Sequence, residues 1–153
     1  MTTGVVTRVL DDGFFLQDPE GDGDPRTSDA VRVFADATGT EAGQQVRIEG
    51  TVDEWRPGGN ATNLTVTTLR SATVENLDED VALPAPVVLG RDGRMPPTAV
   101  ADDDTLAEYQ PTLDGIDFYE SLEAMRVRVD DAVAVSATSR YAEVWVLADG
   151  GAV

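Results

Sequence analysis

Gln45-Val46-Arg47-Ile48-Glu49-Gly50-Thr51-Val52-Asp53-Glu54 alternates apolar with polar side chains. Val46, Ile48 and Val52 fall on one side of this pattern and the charged residues on the other, which predicts a β-strand with one dry and one wet face. Gly50 sits within the dry set, where a residue without a side chain permits the bulge that closes a small barrel. Upstream, Val5-Val6-Thr7-Arg8-Val9-Leu10 is β-branched and ends at Asp11-Asp12-Gly13, a tight-turn sequence. Gly13-Phe14-Phe15-Leu16-Gln17 is then the returning arm of a hairpin, and Ala30-Val31-Arg32-Val33-Phe34 follows a polar loop. Downstream, the turn residues Arg56-Pro57-Gly58-Gly59-Asn60 lead into a Thr-rich segment, Ala61 to Leu69. Short strands spaced by turn signals predict an all-β fold, a sandwich or a barrel, over residues 1–70.

Residues 71–153 read as an extension that packs on this core as one domain. Residues 77–115 are acidic and rich in Pro and Gly, as in Leu83-Pro84-Ala85-Pro86 and Arg94-Met95-Pro96-Pro97, with Val87-Val88-Leu89 as one short strand. They are expected to form a long excursion over the barrel surface. Asp117 is placed as an N-cap with Glu120 three residues on, and Phe118 and Leu122 share a face, so residues 117–124 are expected to form a short helix. Residues 125–147 are expected to form a β-hairpin, with Met125 to Val135 as one arm and Tyr141 to Leu147 as the other. Tyr141 and Trp145 are expected to pack.

The chain carries 29 acidic residues against 11 basic ones, a net charge of −18. All the basic residues are arginine, and histidine and cysteine are absent. Disulfides and thiolate metal sites are therefore ruled out, and with no His, Cys or Lys most general-base, thiol and Schiff-base mechanisms fall away. A two-carboxylate site stays open, because acidic residues are everywhere and nothing singles out a pair. The charge opposes DNA binding by simple attraction and suits a high-salt environment or an arginine-biased genome; collecting cations or basic partners is the other reading. No apolar run approaches the roughly 20 residues that span a bilayer, so no membrane association is expected. Met1-Thr2-Thr3-Gly4-Val5-Val6 lacks the pattern of a signal peptide, and the chain is expected to be a piece of a longer exported protein whose signal lies elsewhere.

Gly13-Phe14-Phe15-Leu16-Gln17-Asp18-Pro19, then Gly21-Asp22-Gly23-Asp24-Pro25 and Thr27-Ser28-Asp29-Ala30, is an unusual string. It resembles the OB-fold domain that precedes the catalytic domain in extracellular bacterial nucleases of the endonuclease/exonuclease/phosphatase superfamily. Val46 to Val52, Leu83-Pro84, Tyr119-Glu120-Ser121-Leu122-Glu123-Ala124-Met125-Arg126-Val127 and Tyr141-Ala142-Glu143 look similar in the same order, although the family commonly has glycine at the position of Ala124. The resemblance implies a five-stranded Greek-key barrel of OB type, elaborated at its C-terminal side by a short helix and a β-hairpin. It also implies a secreted parent whose nuclease catalytic domain lies downstream in the same polypeptide. The superfamily's paired histidines cannot be in this chain, so the module itself is expected to be non-catalytic.

Two candidate sites follow. Asp18, Glu20, Asp22, Asp24 and Asp29 stand at positions one, three, five, seven and twelve of a loop with Gly23 at six, close to the spacing of a calcium loop. A solvated turn in an acidic protein is the first reading and a site for calcium or another divalent ion the alternative; Pro19 near the start, Asp in place of a bidentate Glu, and flanking strands depart from the calcium pattern. Asp102-Asp103-Asp104 reads as a solvated charge run. The second candidate is a face for single-stranded nucleic acid, since OB-folds bind strands across β-strands two and three and stack bases on aromatics. Phe15, Arg32, Phe34, Trp55 and Arg56 are its expected residues. The competing reading has these aromatics capping the barrel, in a spacer domain held by a divalent cation and without nucleic-acid contact.

Overall fold

A computed structural model describes residues 1–152, the side chains of residues 78–80 excepted. Five strands close into a barrel: β1 (Thr2–Leu10), β2 (Gly13–Gln17), β3 (Ala30–Phe34), β4 (Gln44–Trp55) and β5 (Val66–Asp80), in the order β1-β2-β3-β5-β4. β4 closes the ring onto β1, antiparallel, with Thr2 opposite Ile48 and Val5 opposite Gln45. β3 and β5 make the one parallel seam of the barrel, Arg32 opposite Thr68 and Val33 opposite Leu69. This is the strand order of an OB barrel, and the protein is all-β apart from one short α-helix and two single 3-10 turns.

The core follows from the alternation. Val6, Phe14, Leu16, Val33, Val46, Ile48 and Leu69 form one buried cluster, with Val31, Ala72 and Val74 packed against it. Gly13 opens β2 at φ 148°, and a Cβ there would stand 1.9 Å from the carbonyl oxygen of Val33, so the sharp return of the hairpin needs glycine. Gly50 lies at a shift of register between Glu49 and Thr51, where it alone opposes Ser71 and Ala72, so the extra residue and the bulge are on β5 and the strand pair bends there. Past that bend the strand outruns the core, which corrects one expectation: Val52 pairs with Leu69 but is 66% exposed. β5 also differs from the expected Ala61–Leu69 strand. It begins at Val66 and continues to Asp80, bulging at Ser71 (φ 50°) and Ala72 opposite Gly50. Its second half is Glu- and Asn-bearing, a composition that argues against strand when read alone.

The chain divides into two compact units, and residue 70, the expected end of the barrel core, falls inside β5. The first unit joins Met1–Ala85 to Tyr119–Arg126; the second comprises Pro86–Phe118 and the residues from Val127 onward. Within the first unit the segment 119–126 is tied down by specific bonds. The Arg126 N–H donates to Gln17 Oε1 at 3.0 Å, and Ser28 Oγ donates to the Glu123 carbonyl at 2.6 Å. Gln17 therefore lies buried although its place in the alternation is outward.

In the second unit β6 (Val87–Leu89) pairs with β7 (Val127–Val129) in parallel, and β8 (Val133–Ala134) pairs antiparallel with β9 (Val146–Leu147). The expected 125–147 hairpin is thus correct only for its distal half; Val127–Val129 is taken by β6, a partner that local spacing does not reveal. The helix, α1, spans Gly115–Glu120, earlier than expected, and Asp117 lies in its first turn instead of capping it. Tyr141 and Trp145, expected to pack, are 68% and 75% exposed. Among the described residues no helix is long and apolar enough to cross a membrane.

Candidate nucleic-acid interface

The β1–β2 hairpin, with its two-residue turn, sets Leu10 opposite Gly13, Val9 opposite Phe14 and Arg8 opposite Phe15. Phe14 enters the core, so Phe15 points outward. β3 is in register with Phe15 opposite Arg32 and Gly13 opposite Phe34, which puts Arg32 and Phe34 on the same outer face. The end of β4 adds Trp55, whose ring meets that of Phe34 edge to face with centroids 5.2 Å apart. The Arg32 guanidinium lies among three rings, 4.6 Å from the Phe34 centroid, 5.5 Å from Phe15 and 5.7 Å from Trp55. Arg70 of β5 approaches Phe34 at 4.5 Å. Four of the five residues expected from sequence therefore converge into one aromatic and guanidinium cluster, and Arg56 follows directly on Trp55 in the loop between β4 and β5.

The electrostatics of the cluster are graded. Arg32 is nearly enclosed, pairs with Asp12 in the β1–β2 turn, and keeps its Nε buried without a hydrogen-bond partner among the described residues. Arg70 pairs with Asp53 at 2.6 Å. These two cations are satisfied by carboxylates and by ring faces, each cation–π contact contributing about 0.5–1 kcal/mol at an exposed site. Arg8 and Arg56 differ. Among the described residues neither forms an ion pair or a side-chain hydrogen bond, and Arg8 is exposed. Beside Phe15 a cleft of about 270 Å³ is lined by Thr7, Arg8, Phe15, Ala124, Met125 and Arg126.

Sequence reasoning missed Arg8 and Arg70. The first was within reach, since counting back from the Asp11-Asp12 turn puts Arg8 across from Phe15. The second depends on the parallel β3–β5 seam, which leaves no local trace.

The acidic loop of residues 18–29 is built differently from a cation cage. Asp18 Oδ1 accepts the Glu20 N–H and Asp22 Oδ1 accepts the Asp24 N–H, at 3.0 and 2.7 Å. Asp29 Oδ1 reaches across the loop to the Asp22 N–H at 3.0 Å. Asp24 is clasped by Arg26 through side-chain and backbone bonds that hold its carboxyl down at about 2. With Glu20 exposed beside them, these carboxylates organise turns, and they do not gather around a common point.

Glu123 is another perturbed group of this unit. Its carboxylate accepts the Thr67 N–H at 3.1 Å, while burial, together with Glu120 and Glu54 nearby, raises its pKa to about 7.

Together the strand order and the outer-face cluster define a small OB-type barrel bearing an aromatic–arginine face. Residues 88–153 match a family described as a domain of unknown function, DUF8508; the match takes in the second unit from Val88 onward together with residues 119–126 of the first, and leaves the barrel strands outside it. No curated protein and no solved structure matches the chain.

Proposed function

We propose that the chain is a non-catalytic OB module that positions single-stranded nucleic acid for a separate nuclease domain of the same secreted polypeptide. The convergence of Phe15, Phe34 and Trp55 on the outer face of β2, β3 and β4 carries this reading. It is the part of an OB barrel where strands are bound, between the β1–β2 and β4–β5 loops. Bases stack in the cleft beside Phe15 and against Trp55, and phosphates meet Arg8 and Arg56, which form no ion pair among the described residues. The net charge of −18 makes stacking, and not charge, the main source of affinity.

Titration of a fluorescein-labelled oligothymidylate, read by anisotropy in 50 and 300 mM salt, tests the proposal. Binding with a shallow salt dependence is expected. Phe15→Ala and Trp55→Ala should each weaken it about tenfold, in line with the ~1–3 kcal/mol measured for a base stacked on an aromatic. The absence of binding at both salt concentrations rejects the reading. A spacer without nucleic-acid contact is the second reading, and one observation favours it: Arg32 and Arg70 are already held by Asp12 and Asp53.

A further inference from the structure

Asp102, Asp104 and Asp114 read as unrelated acids in the sequence, yet in the second unit their carboxylates meet. One oxygen from each lies within 4.8 Å of the other two. Backbone pairing makes the meeting: the Gly115 N–H donates to the Val100 carbonyl and the Ile116 N–H to the Ala101 carbonyl, both at 3.0 Å. Those bonds lay the residue before Gly115 beside the residues after Ala101. Asp102 and Asp104 are each oriented by the loop they start. Asp102 Oδ1 accepts the Leu106 N–H at 3.0 Å, and the two oxygens of Asp104 accept the Ala107 and Glu108 N–H groups, both at 2.8 Å.

Asp114 is the observation that separates this group from an ordinary acidic cluster. It is 1% exposed, and neither of its carboxylate oxygens has a hydrogen-bond partner among the described residues. It stands just before α1 without capping it, and it points into the other two acids. A buried, unpartnered carboxylate facing two more carboxylates is costly unless a proton or a cation joins it.

We propose that Asp102, Asp104 and Asp114 form a binding site for one hard divalent cation, calcium by donor type and number. All donors are carboxylate oxygens, the ligands hard cations take. Three protein carboxylates at one place suit calcium, since magnesium keeps several of its waters and is held by one or two carboxylates. Without the ion the same crowding disfavours the charged form of Asp114, whose pKa is raised by burial and then by Asp103, Asp117, Asp102 and Asp104. The site lies wholly in the second unit and rests on no part of the nucleic-acid reading.

The test is isothermal titration of the chelator-stripped chain with CaCl2 and, separately, MgCl2, accompanied by thermal melts. One saturable calcium site is expected, with magnesium at least about tenfold weaker, and a melting midpoint that rises with calcium. Asp114→Asn should weaken calcium at least about tenfold and abolish the calcium-dependent rise, while in chelator it melts no lower than the wild type, since it relieves repulsion. Asp102→Asn, which keeps the acceptor for the Leu106 N–H, gives the same reading should the first variant fail to fold. Asp22→Asn, in the loop of the first unit, should leave calcium binding unchanged. The absence of saturable calcium binding, or undiminished binding in folded Asp114→Asn or Asp102→Asn, overturns the proposal, and tighter magnesium binding overturns the choice of calcium.

Discussion

A carboxylate accepts what its surroundings donate, and at the scale of single residues this decides which of the many acids matter. Asp24 is stabilised as an anion by Arg26, Asp114 is opposed by four neighbouring acids, and Glu123 stands between, with one N–H donor and two like charges around it. Glu123 gives a measurable consequence. Its pKa in the folded chain, about 7, lies above the ordinary 4.5, so between those values the folded state holds more protons than the unfolded one. Stability contributed by its protonation is present below the ordinary value and is lost as pH rises through about 7. Glu123→Gln, which keeps an acceptor for Thr67, should therefore melt higher than the wild type at pH 8 and alike at pH 4.5; a constant difference across that range would contradict the assignment. Ala124, next in the chain, holds φ at 60°, a left-handed conformation that suits glycine.

Among the elements, β4 shows how one shift of register against its partner divides a strand into two environments. Up to Gly50 its inward residues are core: Val46 and Ile48 are 1% and 0% exposed. Beyond it the alternation persists but the core has ended, which is why Val52 is exposed despite an identical pattern. Ile48→Ala should accordingly cost about 2–5 kcal/mol in urea unfolding, the range for a buried large-to-small change, whereas Val52→Ala should cost less than about 0.5 kcal/mol. Equal costs would show that the hairpin end is packed. The legible strands were those with a clear two-residue period and a turn on each side, β2 and β3 above all, whose bounds agree with the pattern. β5 was legible only in part, since its distal half owes its extended form to pairing with β4 and not to its own residues.

For the whole molecule the charge dominates. A net −18 carried on 153 residues repels itself, and the ion pairs at the surface neutralise only a few of the acids. Raising NaCl from 20 to 500 mM should raise the melting midpoint by several degrees, because screening relieves repulsion that is stronger in the compact state. A midpoint that is flat or falling with salt would mean that attractive pairs outweigh the repulsion. What the sequence by itself determined is whatever follows from neighbours along the chain: an all-β fold, the β1–β2 hairpin, the outward set of Phe15, Arg32 and Phe34, and the exclusion of histidine- and thiol-based chemistry. What only the tertiary structure decided is whatever needs residues far apart in sequence to meet: the β3–β5 seam that brings in Arg70, the β6–β7 pairing, the return of residues 119–126 to Gln17, and the approach of Asp114 to Asp102 and Asp104. Periodicity records which face of an element is dry. It carries no record of which element lies across from it, because that choice is made by burial and hydrogen bonding summed over the closed barrel and over the second unit.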